Sequence, residues 1–454
     1  MMRSLYSAVS GLQNHQMKMD VLGNNVANVN TVGFKTGRVT FQDILSQTIT
    51  GAAKPTDDRG GLNPKQIGLG MSIASIDTLM RQGSVQTTGK NTDLAIQGEG
   101  FFVMKKGDLT FYTRAGNFLL DKDGELVNPN GLKVQGWKSQ ELENGEVYTN
   151  TNGPLEDVII PIQGKLEAKE TLLVKFRSNL NANIPVLGQN PTPDELLTQT
   201  WDAPINIYDR YGNSSQMLVT FHKTDLNQWQ ASVKIAGVAD GDIKVSVGAP
   251  KIDTNNTFNI QFNTDGTIQS AAEAAGANPQ VDAEGNLLVT VMYNMPDGTQ
   301  HTYDMLLGTS GQVADSITQF AAQSSTKAYN QNGNTMGYLS AFKIDDSGTI
   351  TGVYDNGVNK ELGKIALATF VNPMGLEKAG NSMFVETNNS GYANVGQAGT
   401  MDRGIMSAGA LEMSNVDLSE TFVDMIVTER GFQANSRVVT TSDDMLREIL
   451  SLKR

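Results

Sequence analysis

His15, His222 and His301 are the chain's only imidazoles, and no cysteine accompanies them. Imidazole and thiolate are the usual proton shuttles, nucleophiles and soft metal ligands. Here the histidines stand far apart in sequence, and each reads as a surface or internally satisfied side chain. Asp121, Asp123 and Glu125 alternate like the opening of a calcium loop. The sixth position of that loop needs glycine, and Leu126 occupies it. Asp123-Gly124 therefore reads as a hairpin turn. Gly98-Glu99-Gly100 is reminiscent of a phosphate loop, yet no Lys-Ser or Lys-Thr follows and no helix opens after it. No set of nucleophile, base and orienting group is readable, so the expectation is no enzyme, no cofactor and no metal site.

Composition narrows the classes further. The 454 residues carry a net charge of −13, which argues against nucleic acid or an anionic membrane surface as main partner. No cysteine means no disulfide and no thiol chemistry. No stretch approaches the roughly 18–20 apolar residues of a membrane span. The first residues lack a basic region followed by an apolar one, so export without a cleaved signal is expected.

What the spacing does specify is helix packing. From Leu411 an apolar residue falls on every seventh position: Leu418, Met425, Phe432, Val439 and Leu446. The start of the chain repeats the interval at Leu5, Leu12, Met19 and Val26, with Ala8, Leu22 and Val29 widening the stripe. A seven-residue apolar repeat marks a helix lying along another helix. Proline is absent before Pro55 and after Pro373, so nothing forbids long helices there. Two amphipathic helices make a poor core alone, and Val423, Ile426 and Val427 lie off the main stripe. The expectation is a coiled-coil-like terminal pair whose outer edges are covered by further copies of the chain. Ser414 with Asp417 resembles a capping box opening the second helix. Asp417, Glu420 and Asp424 near its start, and Arg447, Lys453 and Arg454 near its end, suit the helix dipole.

Between the ends the chain reads as β. Residues 1–30 with 415–454 are assigned to the helical inner domain, and 31–70 with 401–414 to a linker ordered against neighbours. Residues 71–177 with 333–400 form an inner β-domain, cored by Leu94, Ile96, Phe101, Phe102 and Val103. A buried strand from Leu362 to Val371 completes it. Residues 178–332 form an outer β-domain inserted between these flanks, with Asp-Gly turns at 240, 265 and 297 and an exposed loop from Gly188 to Asp194. The fold class is thus multidomain and mainly β with an α-helical terminal domain.

Several runs then resemble one family. Ser10-Gly11-Leu12, Asp20 to Asn25 and Ala27 to Lys35 are similar to the N-terminal signature of bacterial flagellar rod and hook proteins. Thr92 to Ile96, Gly100-Phe101-Phe102 and Tyr112-Thr113-Arg114-Ala115-Gly116 resemble that family's inner β-domain. Gly409-Ala410-Leu411-Glu412 with Ser414 to Leu418 resembles its C-terminal signature. The insert carries no such run. Length points to the hook type, since distal rod members lack a large insert; a rod-type protein, or from another class a secreted adhesin, is the alternative.

The resemblance implies a homopolymer: a curved, bendable tube that encloses an export channel and transmits motor torque as a universal joint. It implies distal rod, hook cap and hook–filament junction proteins as partners, and the flagellar type III apparatus as exporter. The place is the hook, outside the cytoplasmic membrane, extracellular or, in a spirochaete, periplasmic. Spirochaetal members cross-link subunits: a cysteine loses sulfur to give dehydroalanine, and a neighbour's lysine adds to it. By resemblance Lys165 is the lysine and Ser178 occupies the cysteine position. Hydroxide leaves far less readily than sulfide, so no cross-link is expected.

Overall fold

The computed structural model describes residues 2–451 apart from 56–58, 142–146, 163, 189–191, 248–251, 255, 270–284 and 295–298. The expected turn at Asp297 and the terminal Lys453 and Arg454 lie outside these residues, as does part of the 188–194 loop. The chain divides into two compact units. One comprises Met1–Ile162, Ala341–Val353 and Asn359–Arg454; the other comprises Gln163–Ser340 and Tyr354–Val358.

In the first unit α1 spans Met2–Ala27 and the last helix, α3, spans Leu418–Ser451. The helices are antiparallel: Gly11 faces Asn435, His15 faces Gly431, and Lys18 Nζ lies 3.7 Å from an Asp424 carboxylate oxygen. The heptad counted from Leu411 starts one repeat late, because Leu411 sits in the strand Ala410–Glu412. The cap also differs from expectation. Asp417 Oδ1 accepts from the Ser419 and Glu420 N–H groups at 2.8 and 3.2 Å, so Asp417 caps the helix. Ser414 Oγ instead accepts from Val416 N–H in the approach.

The stretch read as a linker is a β-arm. β1 (Gly37–Asp43) pairs antiparallel with β4 (Met71–Thr78), from Gly37 opposite Thr78 to Asp43 opposite Met71. Beyond them β2 (Ser46–Thr50) pairs with β3 (Lys65–Gly68), and every residue of these two strands is exposed. Two-sided exposure removes the alternation by which strands are recognised, so no strand pattern is visible in these residues. Helix α1 lies on the base of the arm. Asn14 Nδ2 donates to Met71 O at 2.6 Å, and Asn25 exchanges two hydrogen bonds with the Gly37 backbone. Residues 401–414 hold two short strands: Ile405–Ala408 pairs with Leu94–Gln97, and Ala410–Glu412 with Val85–Thr87.

The core of this unit surrounds the hairpin Phe101–Lys106 and Leu109–Thr113. Phe101, Phe102, Val103 and Met104 are all buried, so this strand is covered on both faces. Phe101 meets Phe370 and Phe384 edge-on, each at 5.8 Å between centroids. The strand Asn359–Thr369 runs beside it, buried from Ile365 to Ala368. The Asp121–Glu125 segment is a hairpin turn, with Asp121 Oδ1 accepting from the Asp123 and Glu125 N–H groups.

The second unit is a two-sheet sandwich containing a short helix, α2 (Pro193–Gln199). Thr200–Tyr208, Ser214–Asp225, Gln228–Ile235 and Thr257–Gln261 form one antiparallel sheet. The other holds Leu173–Asn181 parallel to Gln300–Thr309 and to Ile317–Phe320. Trp229, Phe221, Phe176, Val219 and Met305 are buried in one shared core. This unit begins before residue 178, because Lys165–Leu166 already pairs with Gly337 and Tyr338.

Candidate functional site

Among the described residues no group of three or more His, Cys, Asp or Glu is placed to hold a metal ion. His222 and His301 are apart from each other in use: His301 stacks on Tyr293 at 5.4 Å, and burial lowers the His222 pKa. His15 packs between the helices and is the exception taken up below.

The structure instead concentrates its buried charge at one point of the first unit. Glu412, at the end of its strand, has a side chain that is 0% exposed, as has Lys35. Lys35 Nζ donates to Glu412 Oε1 at 2.6 Å and to Arg81 O at 2.8 Å. The Gly83 N–H donates to the same carboxylate oxygen at 2.9 Å. Arg114 Nη1 approaches Oε2 at 3.4 Å, while its other nitrogen reaches Glu99 at 3.7 Å and its guanidinium lies 5.3 Å from the Phe101 ring centroid. Burial pushes the Lys35 ammonium pKa down, and the Glu412 carboxylate beside it works the other way.

Backbone contacts lock the same place. The Gly33 N–H donates to Glu412 O at 2.8 Å, and Gly33 adopts φ +67 with no room for a β-carbon against Ala115. Asn415 uses its whole amide. Its Oδ1 accepts from Thr36 N–H and Oγ1 at 2.8 and 2.6 Å, and its Nδ2 donates to Leu79 O and Arg81 O at 2.8 and 3.0 Å. Segments near residues 35, 82, 114 and 412 thus meet on one carboxylate and one amide. Each helix leaves this knot within a few residues, so the knot sets where the helix pair departs from the β-structure. Lys35, Arg114, Glu412 and Asn415 all lie inside the runs that carried the resemblance, but sequence reasoning singled out none of them. A charged residue fully buried leaves no hydrophobic signature.

The residues chosen for helix packing differ in how far one protomer covers them. Leu22 is buried, Leu418 and Phe432 are exposed, and Leu5, Leu12, Met19, Val26, Met425, Val439 and Leu446 are half-buried. The other buried residues of the two helices are small or polar: Ala8, Gly11, Asn14 and Asn25 on α1, and Thr421, Thr428 and Ser442 on α3. Phe422, Val423, Ile426, Val427, Met445 and Ile449 remain exposed. In the second unit Ser178 is half-buried with φ +88, and Lys165 is exposed with Nζ 5.8 Å from the Tyr338 ring centroid.

Comparison with known proteins gives four family matches along the chain. Residues 5–35 match the flagella basal body rod protein family, and 95–170 the flagellar hook protein FlgE/F/G D1 domain. Residues 179–334 match the flagellar basal body protein FlaE D2 domain, and 407–452 the flagellar basal body rod FlgEFG protein C-terminal family. The chain is 47% identical to the flagellar hook protein FlgE of Treponema pallidum and 48% identical to that of Borreliella burgdorferi, with 100% of both chains covered in each case. Among solved structures, Helicobacter pylori flagellar hook protein FlgE2 aligns with a TM-score of 0.51 at 14% identity, over 72% of this chain and 100% of that one. That likeness concerns the fold.

Proposed function

The chain belongs to the flagellar hook protein family, and from that premise we propose how it works as the hook's structural subunit. Copies of the chain polymerise into a curved, bendable tube. The terminal helices line and surround an export channel, and the β-units, sliding slightly against neighbours, let the tube bend while it carries torque. The observation that carries this reading is the row of large apolar side chains that one protomer leaves uncovered on α3. Val423 and Val427 are each 60% exposed, with Phe422 and Ile426 beside them. A patch of this kind marks an interaction surface. The isolated arm of β2 and β3 adds Ile44, Leu45, Ile49 and Ile67, also exposed; a bare two-stranded hairpin is marginal in water and gains from a neighbour.

The same reading assigns distal rod, hook cap and junction proteins as end-to-end partners, the flagellar export apparatus as the route out, and a site outside the cytoplasmic membrane. The protein acts by assembly and catalyses no reaction. The test is truncation after Asp417, which spares Asn415 and its four hydrogen bonds. Full-length protein should form tubes under polymerising conditions in electron micrographs, and the truncated chain should stay soluble and folded in its β-units. Tubes from the truncated chain would refute the reading.

A further inference from the structure

The heptad stripes of α1 and α3 have a weakness as a specification. Each repeats every seven residues, so apolar matching alone is equally satisfied after one helix slides by a heptad. Besides the anchors at the helix bases and the Lys18–Asp424 approach, two contacts along the pair itself break that degeneracy. On α3, Asn435 reaches over Gly11: a β-carbon at position 11 would stand 2.7 Å from the amide nitrogen. On α1, His15 reaches over Gly431: a β-carbon there would stand 2.8 Å from Nε2. In each helix the notch and the protruding side chain are four residues apart and so share a face. Because the helices run in opposite directions, both pairs close at once.

We propose that His15 in the Gly431 notch and Asn435 over Gly11 form a reciprocal register lock for the terminal helix pair. A slide of one heptad would set His15 against Asp424 or Val438, where a side chain replaces the notch. It would also set Gly11 against Thr428 or Ser442, too short to fill the space Asn435 fills. Gly431 is the one glycine in the α3 sequence, and a glycine inside a helix weakens it; the notch accounts for its presence. Gly23 of α1, by contrast, faces nothing within 4 Å. The His15 ring is backed from the β-arm by Phe41, edge-on at 5.7 Å, which restrains it from swinging out of the notch.

The lock concerns contacts inside one chain and stands apart from polymerisation, so its failure and that of the proposed function are distinguishable. The chain has no native cysteine, so Arg3→Cys with Glu420→Cys gives two unique spin-label sites, both on exposed residues. They lie about 35 Å apart along the helix pair at 1.5 Å per residue. Electron–electron double resonance on full-length labelled protein, diluted with unlabelled chains, should give one distance. In His15→Ala/Asn435→Ala, where alanine keeps the helices well formed, a second population should appear displaced by about 10 Å, the length of a heptad. Gly431→Ala, which expels the ring, should show the same population. The parental distance surviving alone in the double variant overturns the proposal, and a parent with no single distance overturns it equally. Gly23→Ala serves as control and should leave the distance unchanged.

Discussion

Glu412 accepts from Lys35, from the Gly83 backbone and from Arg114, all in a place that water does not reach. Breaking a buried ion pair leaves a charge without compensation and costs about 3–5 kcal/mol. Glu412→Gln strands Lys35 and leaves Arg114 only its longer contact to Glu99, and it is expected to lie at the upper end, about 5 kcal/mol. Lys35→Met leaves Glu412 with Arg114 and the Gly83 N–H and should cost nearer 3 kcal/mol. The double variant should cost less than the sum, because the second change removes a charge that the first stranded. Denaturant unfolding monitored on the first unit checks all three, and additive losses would mean that the contacts do not share one energy. Ser178 poses a different question at the same scale. Its φ of +88 belongs to glycine's range and strains a residue bearing a β-carbon by about 1–2 kcal/mol. Ser178→Gly returns part of that to unfolded-state entropy, so a net gain of about 0.5 kcal/mol is expected where an ordinary strand position would lose stability. Peptide mass mapping of assembled wild-type protein should find no lysinoalanine joining Ser178 to Lys165 of a neighbour, since hydroxide is a poor leaving group.

At the scale of elements, the helix pair is where the seven-residue repeat was legible and its meaning was not. The repeat placed both helices and picked out Ala8 and Leu22, which are buried, but most residues it selected are half-buried or exposed, because apolar character was the signal and buried positions such as Gly11, Thr421, Thr428 and Ser442 do not carry it. Thr421, Thr428 and Ser442 are spaced by seven and fourteen residues, a pattern that hydrophobicity does not display. The β-arm escaped for the complementary reason: with both faces wet, β2 and β3 have no alternation to read. The inner hairpin was legible because Phe101 to Met104 is an unbroken apolar run between turn glycines. The knot at Glu412 was legible only as motif letters, since nothing in sequence says that Lys35, Arg114 and Glu412, far apart along the chain, will meet. The helix pair also carries a pH dependence. Burial, and then the Lys18 charge, hold the His15 pKa below 6.5. The separated chain, with the ordinary value, therefore binds a proton first as pH falls. Helix pairing should be unaffected above pH 6.5 and should weaken as pH drops from there toward the lowered value. Amide exchange across α1, measured at pH 7.5 and below 6.5 and corrected for intrinsic rates, should show the loss of protection. His15→Gln should abolish that pH dependence, and equal acid sensitivity in both would show that His15 is not its source.

At the scale of the whole molecule, two units have separate cores, while α3 and the arm each leave a run of large apolar side chains exposed. The division has an energetic consequence. Substituting an exposed apolar residue should barely change the protomer, and should change assembly in proportion to what the neighbour buries. Val423 and Val427 are each 60% exposed on consecutive turns of α3, and serine has a helix propensity close to that of valine. Val423→Ser/Val427→Ser should therefore move protomer stability by no more than about 0.5 kcal/mol per site. Burying a valine side chain is worth about 1.5 kcal/mol, so a neighbour covering both would forfeit about 3 kcal/mol per subunit. That corresponds to roughly a hundredfold rise in the concentration needed to polymerise. Sedimentation across a concentration series, alongside denaturant unfolding of the soluble protein, separates the two effects. A hundredfold shift with an unchanged unfolding curve assigns this face to the subunit contact. An unchanged polymerisation threshold would remove it from the contact, and would make the arm's exposed Ile44, Leu45, Ile49 and Ile67 the next face to substitute.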